Sequence, residues 1–286
     1  MLATKMALGI EKSLIYLRAL KQLPASQLRA EARLTRKLQE LFAEVAERTI
    51  QELLRRNRLP TDDATMRLVI SHILGASDSY KETLGEEALQ AARYGRNRII
   101  RELQRLGVSV SFSEFSERVQ KIIMEHVFTA SQHTISRVTG NVMQNLANSY
   151  ANGLGIDDAA EELRQVFQAM QDYELRRVAR TEINSFQNEG AYLTEQELGV
   201  RYHMWYTALD ERVRGSHVNI HGEIVRVGEP FSNGLYYPGD RSGGQGTIKE
   251  WINCRCRTVP FLMPEGKMAP PGASYFRESD LIEVRR

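Results

Sequence analysis

The sequence is poor in cysteine, and this scarcity limits both the fold class and the compartment. Only two cysteines occur among 286 residues, Cys254 and Cys256, with one residue between them. They cannot form a disulfide framework, and a direct Cys-x-Cys bridge is strained and uncommon. A small disulfide-stabilised secreted domain is therefore excluded, and two free thiols suit a reducing cytoplasm.

A long apolar run is also missing near the N-terminus. Lys5, Glu11, Lys12 and Arg18 interrupt the stretch up to residue 20, whereas a membrane helix needs about 20 consecutive apolar residues. We therefore predict neither a signal peptide nor a membrane anchor. The protein should be made in a cytoplasm, or packed into a particle that is assembled there.

The common catalytic motifs are absent as well. The sequence has no His-Glu-x-x-His, and its glycine-rich run 239–246 lacks the Gly-Lys-Ser/Thr of a phosphate-binding loop. Asp210, Arg212, His217 and Cys254 are residue types found in active sites, and a Cys–His nucleophile pair is one interpretation. Hydrogen bonding that fixes a loop with few apolar residues explains them equally well. In an extended chain Asp210 and Arg212 share a face, and this spacing suggests that they form a buried bidentate pair. We expect no enzymatic activity and assign no catalytic residue.

Charge is unevenly distributed, although the net charge is only +2. Residues 1–60 carry 12 Lys and Arg against 6 Asp and Glu, whereas residues 151–200 carry 4 against 10. The basic N-terminal segment indicates contact with something anionic, although solvated amphipathic helices carry such charges equally often.

Apolar residues at three- and four-residue steps predict long helices over the N-terminal two-thirds of the chain. One helix is expected from Ala25 to Arg58, and the longest from Phe115 to Tyr150. The other expected helical segments are residues 61–106, with breaks near Gly75 and Gly85, then 157–170 and 172–198, with Gly199 as the end.

The C-terminal third changes to aromatic and β-branched residues between turn signals, which is typical of short strands. Strands are expected over residues 201–209, 223–227 and 255–262, with the third closing against the first. We therefore predict an α+β fold, with long helices followed by a small domain built on a short antiparallel sheet. The predicted divisions are a helical region 1–106, long helices 107–199, a small α+β domain 200–264 and an extended tail 265–286.

The cysteine pair allows two interpretations. In a strand both thiols would project to the same face, as a packing pair or as half of a metal site. His217 and His221 would complete four ligands if one helical turn aligned them. However, Gly215 and Gly222 bracket the two histidines and predict a turn instead. A hydrogen-bonded core and a metal site both remain open at this point.

Several motifs in this window occur in a characteristic order. They are Ala208-Leu209-Asp210-x-Arg212, His217, Gly222 and Asn253-Cys254-Arg255-Cys256. This pattern resembles the phage Mu F-like family of minor head proteins, the head morphogenesis proteins of tailed double-stranded DNA phages. Arg180-Thr181-Glu182 resembles the Arg-Thr-Glu that opens the conserved domain of that family. The resemblance covers about residues 120–262.

The resemblance also implies a site. Many relatives carry an additional Cys-x-x-Cys near the position of Arg212 and a histidine just before Asn-Cys-Arg-Cys, which suggests zinc. This chain has neither, so we expect no cofactor and a dispensable metal. If zinc binds, the first ligands to name are His217, Cys254 and Cys256. The expected structural cluster is Arg180, Glu182, Asp210, Arg212, His217, Gly222, Asn253, Cys254 and Cys256.

The function implied by the resemblance is that of a minor structural protein inside a tailed-phage head. It would bind the portal protein through residues 1–106 and act in head morphogenesis, with a role in DNA packaging or ejection also open. Scaffolding protein, major capsid protein and double-stranded DNA are further candidate partners. The expected location is the virion interior, and the host cytoplasm during assembly. The alternatives are a zinc-stabilised, DNA-binding ejection protein and an enzyme that uses the C-terminal cluster.

Overall fold

A computed structural model describes residues 25–111, 114–208, 210–241 and 248–284 of the chain. Long helices occupy the N-terminal part and a small antiparallel sheet follows, so the predicted α+β class is confirmed. The helices are α1 Ala25–Arg56, α2 Asp63–Gly75, α3 Ser77–Arg105, α4 Glu117–Ala151, α5 Ile156–Ala169, a π-helical turn Met170–Glu174, α6 Leu175–Glu197, α7 Gly215–Asn219, α8 Ile248–Trp251 and a 3-10 turn Glu278–Asp280. The strands are β1 Tyr202–Tyr206, β2 Ile224–Arg226, β3 Arg257–Phe261, β4 Lys267–Met268 and β5 Ile282–Glu283.

The chain divides into two compact units, each made of separate stretches. Within the described residues, a helical unit holds 30–93 and 114–186, and a mixed unit holds 25–29, 94–111 and 187–284. Three of the boundaries fall inside helices, because α1, α3 and α6 each contribute to both units. The division into four consecutive segments stays a prediction.

The helical unit has a core of its own, built from the apolar stripes that the sequence predicts. Leu34, Leu38 and Phe42 of α1 are fully buried. The ring of Phe42 meets the ring of Tyr80 edge-on at 6.0 Å, and the Tyr80 hydroxyl lies 3.3 Å from the hydroxyl of Thr134. Helices α1, α3 and α4 are therefore joined through one apolar cluster with a polar contact inside it.

One predicted helix break is confirmed and the other is wrong. Helix α2 ends at Gly75, but α3 continues through Gly85 without interruption. A Cβ at position 85 would lie 3.1 Å from Cε of Met124 on α4. Gly85 therefore allows close helix packing, which the sequence pattern alone does not distinguish from a helix end.

The mixed unit contains a much closer contact, at Gly95. A Cβ built there would lie 1.8 Å from the carbonyl oxygen of Gln187 on α6. The backbones of α3 and α6 approach so closely at this point that only glycine fits. Near the crossing, Arg96 forms an ion pair with Glu197 at 2.9 Å.

The sheet has the order β2-β1-β3, and both pairings are antiparallel. The third strand closes against the first, as predicted, with Tyr202 opposite Phe261. All three strands are shorter than expected, and β3 begins only at Arg257. Cys254 and Cys256 therefore lie in the segment just before the strand.

The two faces of the sheet belong to different cores, as the alternation of side chains requires. His203 and Trp205 define a thiol face, on which Trp205 packs with Val225 and both cysteines. Tyr202 and Met204 define a tail face, on which they pack with residues of the C-terminal segment. Helix α6 contributes to the thiol face, since Glu195 lies 2.8 Å from Nδ1 of His203, and both side chains are fully buried.

The C-terminal tail, predicted to be extended, folds back onto the sheet. Strand β4 pairs with β5, and Phe276 forms a bridge to Ile224 through two hydrogen bonds of 2.8 and 3.0 Å. Phe276 is buried against Tyr202, with the ring centroids 5.5 Å apart. The tail therefore provides one half of the core on the tail face.

The close approach at Gly95 yields a stability prediction. Gly95→Ala forces a methyl group into backbone atoms and should destabilise the protein by about 3 kcal/mol or more. Gly140→Ala is the matched control, because a Cβ there meets no atom within 4 Å. The control should stabilise its helix by about 0.5–1 kcal/mol. Urea unfolding measures both, and a Gly95→Ala variant as stable as the parent would contradict the packing described here.

Candidate functional site

Three side chains from distant parts of the sequence meet on the thiol face. Nδ1 of His217, on α7, lies 3.3 Å from the sulfur of Cys256 and 3.6 Å from the sulfur of Cys254. All three ligand atoms lie within 4.8 Å of one another, and all three residues are buried. The structure thus brings together the three residues that the sequence names first as ligands.

The apolar surroundings of this cluster exclude water from it. The ring of Trp205 meets the His217 ring edge-on at 5.0 Å and that of Phe231 at 5.1 Å. Ile220 and Leu235 complete the same buried cluster with the cysteines. A charge placed here needs a direct partner, because burial removes its hydration.

The two thiols differ in their proton affinity. The hydrogen bond from Cys256, helped by His217, holds the pKa of the Cys254 thiol well below its usual value, although burial opposes the shift. The same hydrogen bond, together with burial and the charge of Cys254, raises the pKa of Cys256 well above its usual value. The two thiols therefore titrate as a coupled pair that shares one proton between its low and its high pKa.

Glu250, on α8, borders the other side of the histidine ring. Its Oε2 lies 2.9 Å from Nε2 of His217, yet Nε2 has no aligned hydrogen-bond partner among the described residues. The two atoms are close, but the geometry is not that of an aligned hydrogen bond. Ser216 also donates to this carboxylate, at 3.0 Å.

Arg214 fixes the chain that carries Glu250. Its guanidinium donates to the carbonyl oxygens of Glu250 at 2.9 Å and Ile252 at 2.6 Å. The sequence analysis missed both Arg214 and Glu250. Spacing gives no sign of them, because Arg214 lies 36 residues before Glu250 and contacts main-chain atoms rather than a side chain.

The suggested pairing of Asp210 with Arg212 is wrong. Asp210 accepts two hydrogen bonds from the guanidinium of Arg255, one of them at 2.5 Å, and this arginine lowers the pKa of the carboxyl group. Arg212 contributes only its backbone N–H, at 3.0 Å from the same carboxylate. The Asp210–Arg255 pair is a partly exposed bridge between the two motifs rather than a buried pair.

The predicted turn around the histidines is wrong in part. His217 lies in the short helix α7, whereas His221 follows it in a turn. Nδ1 of His221 accepts from the backbone N–H of Thr207 at 3.2 Å, and burial lowers its pKa. The two histidines do not share a face, so His221 is not part of the cluster.

Two of the predicted site residues shape the backbone. Gly222 has a φ of 79° and donates from its N–H to the carbonyl of Trp205 at 2.9 Å. Asn253 has a φ of 55°, a left-handed conformation that asparagine tolerates better than most residues. Both positions turn the chain next to the cluster, one after α7 and one just before Cys254.

The remaining two predicted residues belong to the helical unit. Nε of Arg180 donates to Glu31 on α1 at 3.3 Å, and Glu182 is buried. The contact between Arg180 and Glu31 lies within that unit. That Arg180 and Glu182 share one cluster with His217 stays a prediction.

The donor set of the cluster suits a metal such as zinc, which prefers thiolate sulfur and imidazole nitrogen. If zinc binds, Cys254, Cys256 and Nδ1 of His217 hold it, and Glu250 orients the imidazole from the far side. Structural zinc usually takes four ligands, and three are found among the described residues. The residues fit the ion in type, while the number of protein ligands is one short.

Comparison with known proteins gives a family for this site. The model described as Phage Mu protein F like protein matches residues 140–259. Residues 140–259 belong to the Mu F-like family. The resemblance inferred from the ordered motifs is thereby confirmed, and every predicted site residue lies inside the Mu F-like region.

Similarity to one relative extends beyond that region. The minor head protein GP7 of Bacillus phage SPP1 is 24% identical over 247 residues, which cover 82% of this chain and 78% of that protein. No solved structure matches the chain. No helix within the described ranges combines the length and apolar character needed to cross a bilayer.

The shared proton of the Mu F-like site leads to a titration prediction. Thiolate absorbance should show one group that ionises well below the usual thiol pKa and one well above it. Cys256→Ala should raise the low pKa because it removes the S–H donor, and Cys256→Ser, which keeps a donor, should raise it less. Two thiols that titrate together near 8.5 would contradict the assignment.

The same pKa shifts determine whether the stability of the fold rises or falls with pH. The lowered pKa of Cys254 contributes stability above the unfolded pKa of about 8.5, and this contribution is lost as pH falls through the folded pKa. The raised pKa of Cys256 acts in the opposite direction, since it destabilises the fold as pH rises past the unfolded value. Urea unfolding over a pH series should show less pH dependence in Cys254→Ser and in Cys256→Ser than in the parent, because each variant removes one member of the coupled pair.

A separate prediction concerns the metal, which we expect to be dispensable. The protein purified in the presence of a chelator should keep its circular dichroism and melting temperature, and elemental analysis should find no tightly held zinc. One zinc per chain, lost in the Cys254→Ser, Cys256→Ser double variant, would overturn this expectation and assign His217 and both cysteines as ligands.

Proposed function

We propose that this chain is a minor structural protein of a tailed-phage head that acts in head morphogenesis. The similarity to GP7 of phage SPP1 carries the proposal, because it spans 82% of the chain rather than the Mu F-like region alone. GP7 is described as a minor head protein. The match of residues 140–259 to the Mu F-like family supports the same assignment.

The geometry of the cluster supports a structural role over catalysis. His217 and Cys254 are 1% and 3% exposed, so a substrate would have to open the core to reach either group. The contacts of Arg214 and Asp210 link the two halves of the site, as expected of hydrogen bonds that hold a small domain together. In this proposal the cluster stabilises the fold, and neither thiol acts as a nucleophile.

The N-terminal helices are proposed to dock on the portal protein inside the capsid. Helix α2 exposes two large apolar side chains, Leu68 at 48% and Leu74 at 49%. Val69, Ile70 and Ile73 of the same helix are buried and fix it in the core. Exposed leucines on a well-packed helix are suited to contact another protein, and few residues carry most of the energy in such contacts.

This proposal predicts the effect of a double substitution. Leu68→Gln with Leu74→Gln should weaken co-purification with the portal protein by about tenfold or more, because two apolar contacts are lost. Tyr150→Gln is the control, since Tyr150 is 56% exposed but lies outside residues 1–106.

The melting temperature of both variants should stay close to that of the parent. Equal portal binding by the double variant and the parent would refute docking through α2. Equal loss in the control would indicate a wider or nonspecific contact.

Roles in DNA packaging or ejection, and contacts with scaffolding protein, major capsid protein or double-stranded DNA, are part of the same proposal. These roles are distinguished by the stage at which a phage that carries the Leu68→Gln, Leu74→Gln double variant fails. Empty heads would indicate packaging, filled heads that do not deliver DNA would indicate ejection, and missing or aberrant heads would indicate assembly.

A further inference from the structure

A cleft of about 570 Å³ opens on the tail face, away from the cysteine cluster. Its walls include Arg201, which precedes β1, Tyr202 of β1 and Arg226 of β2, and the C-terminal segment contributes Met263, Lys267 and Phe276. The cleft exists because the tail folds back on the sheet. Its volume lies within the range typical of small-molecule sites in proteins.

Two arginines of this cleft share one aromatic ring. The guanidinium of Arg201 lies 5.3 Å from the centroid of the Tyr202 ring, and that of Arg226 lies 5.4 Å from it. Arg226 is directly opposite Tyr202 in the pairing of β1 with β2. The buried Tyr202 ring thus holds both cations at the wall by cation–π contact.

Neither arginine has an acidic partner. In the parts of the chain that the structure covers, no carboxylate lies within ion-pair distance of Arg201 or Arg226, although Glu229 lines the cleft. Lys267, the third cation, is paired with Glu283 at 3.1 Å. Arg201 and Arg226 therefore place two positive charges at the wall of the cleft, which favours a bound anion there.

The side chains that line the cleft indicate which kind of anion would bind. Arginine presents a planar fork of N–H donors that matches phosphate oxygens, and two such forks suit a doubly charged phosphate better than a single carboxylate. Met263, Pro270 and Phe276 add apolar surface beside the cations. A ligand that combines a phosphate with a flat apolar body would use both parts of the cleft.

We propose that this cleft binds a nucleotide, with the phosphate held by Arg201 and Arg226 and the base against Met263 and Phe276. The nucleotide could come from the free pool or from a unit of a nucleic-acid strand. The two sources share the same chemistry, and the test below distinguishes them. The proposal does not depend on portal docking or on a metal at the cysteine cluster.

Calorimetric titration of the full chain with adenosine monophosphate tests the site. Saturable binding is expected, with adenosine and inorganic phosphate each at least about tenfold weaker, because each uses only part of the cleft. Arg201→Met and Arg226→Met should each weaken binding about tenfold or more. Arg226→Lys should fall between Arg226→Met and the parent, since it keeps the charge and loses the fork.

The control is Arg101→Met, which removes an exposed arginine of α3 that does not line the cleft. Binding by this variant should equal that of the parent. Arg201 and Arg226 are themselves exposed, so their variants should fold, and an unchanged melting temperature checks this. A short single-stranded oligonucleotide distinguishes the two sources. Displacement of the bound oligonucleotide by adenosine monophosphate would identify a strand as the source. An oligonucleotide that does not compete with adenosine monophosphate would identify the free nucleotide.

Three outcomes would overturn the proposal. The first is the absence of saturable binding at millimolar adenosine monophosphate. The second is binding that survives both Arg201→Met and Arg226→Met. The third is an equal loss in Arg101→Met, which would show that general positive charge, not this cleft, attracts the nucleotide.

Discussion

The mixed unit depends on how closely α3 and α6 approach each other at Gly95, where a Cβ would lie 1.8 Å from a backbone oxygen of the opposing helix. This spacing places two polar side chains within reach of the same segment. Asn188 on α6 donates to the carbonyl of Cys256 at 3.0 Å, and Arg98 on α3 donates to the carbonyl of Thr258 at 2.6 Å. The chain that carries the thiols is therefore fixed through its backbone. The backbone contacts of these two side chains hold the thiols beside His217.

A proton and a metal ion are alternative ways to stabilise the cysteine cluster. A buried thiolate is costly without a partner, and the thiol of Cys256 provides one because its pKa is raised while that of Cys254 is lowered. Zinc would have to displace that proton, since it binds thiolates. Its affinity would then fall as pH falls, and Glu250 beside Nε2 of His217 would favour a cation at the ring in either state. The same three side chains therefore suit either a shared proton or an ion, and the metal-free core stays a prediction.

The sequence predicts the long helices well because apolar periodicity is a local property that repeats over many turns. The strand that would place both thiols on one face begins only at Arg257, so the two thiols lie together for a reason other than strand alternation. The errors have one physical cause, because each depends on a contact distant in sequence. Gly85 is read as a break because the facing Met124 is not visible locally, and Asp210 is paired with its neighbour because Arg255 lies 45 residues away. The return of the tail to the sheet likewise depends on Phe276 meeting a strand far upstream.

The short sheet connects these features, because neighbouring residues of β1 belong to different cores. Trp205 packs with the cysteines, whereas Tyr202 packs with the tail and holds the two arginines of the cleft. A slip of one residue would exchange the two faces and move His203 away from Glu195. That pair is fully buried, with 2.8 Å between Nδ1 and the carboxylate, so the slipped register would leave a buried acid without its partner. The His203–Glu195 pair therefore helps to fix the register of β1. This register keeps the cysteine cluster and the cationic cleft on opposite faces of the sheet.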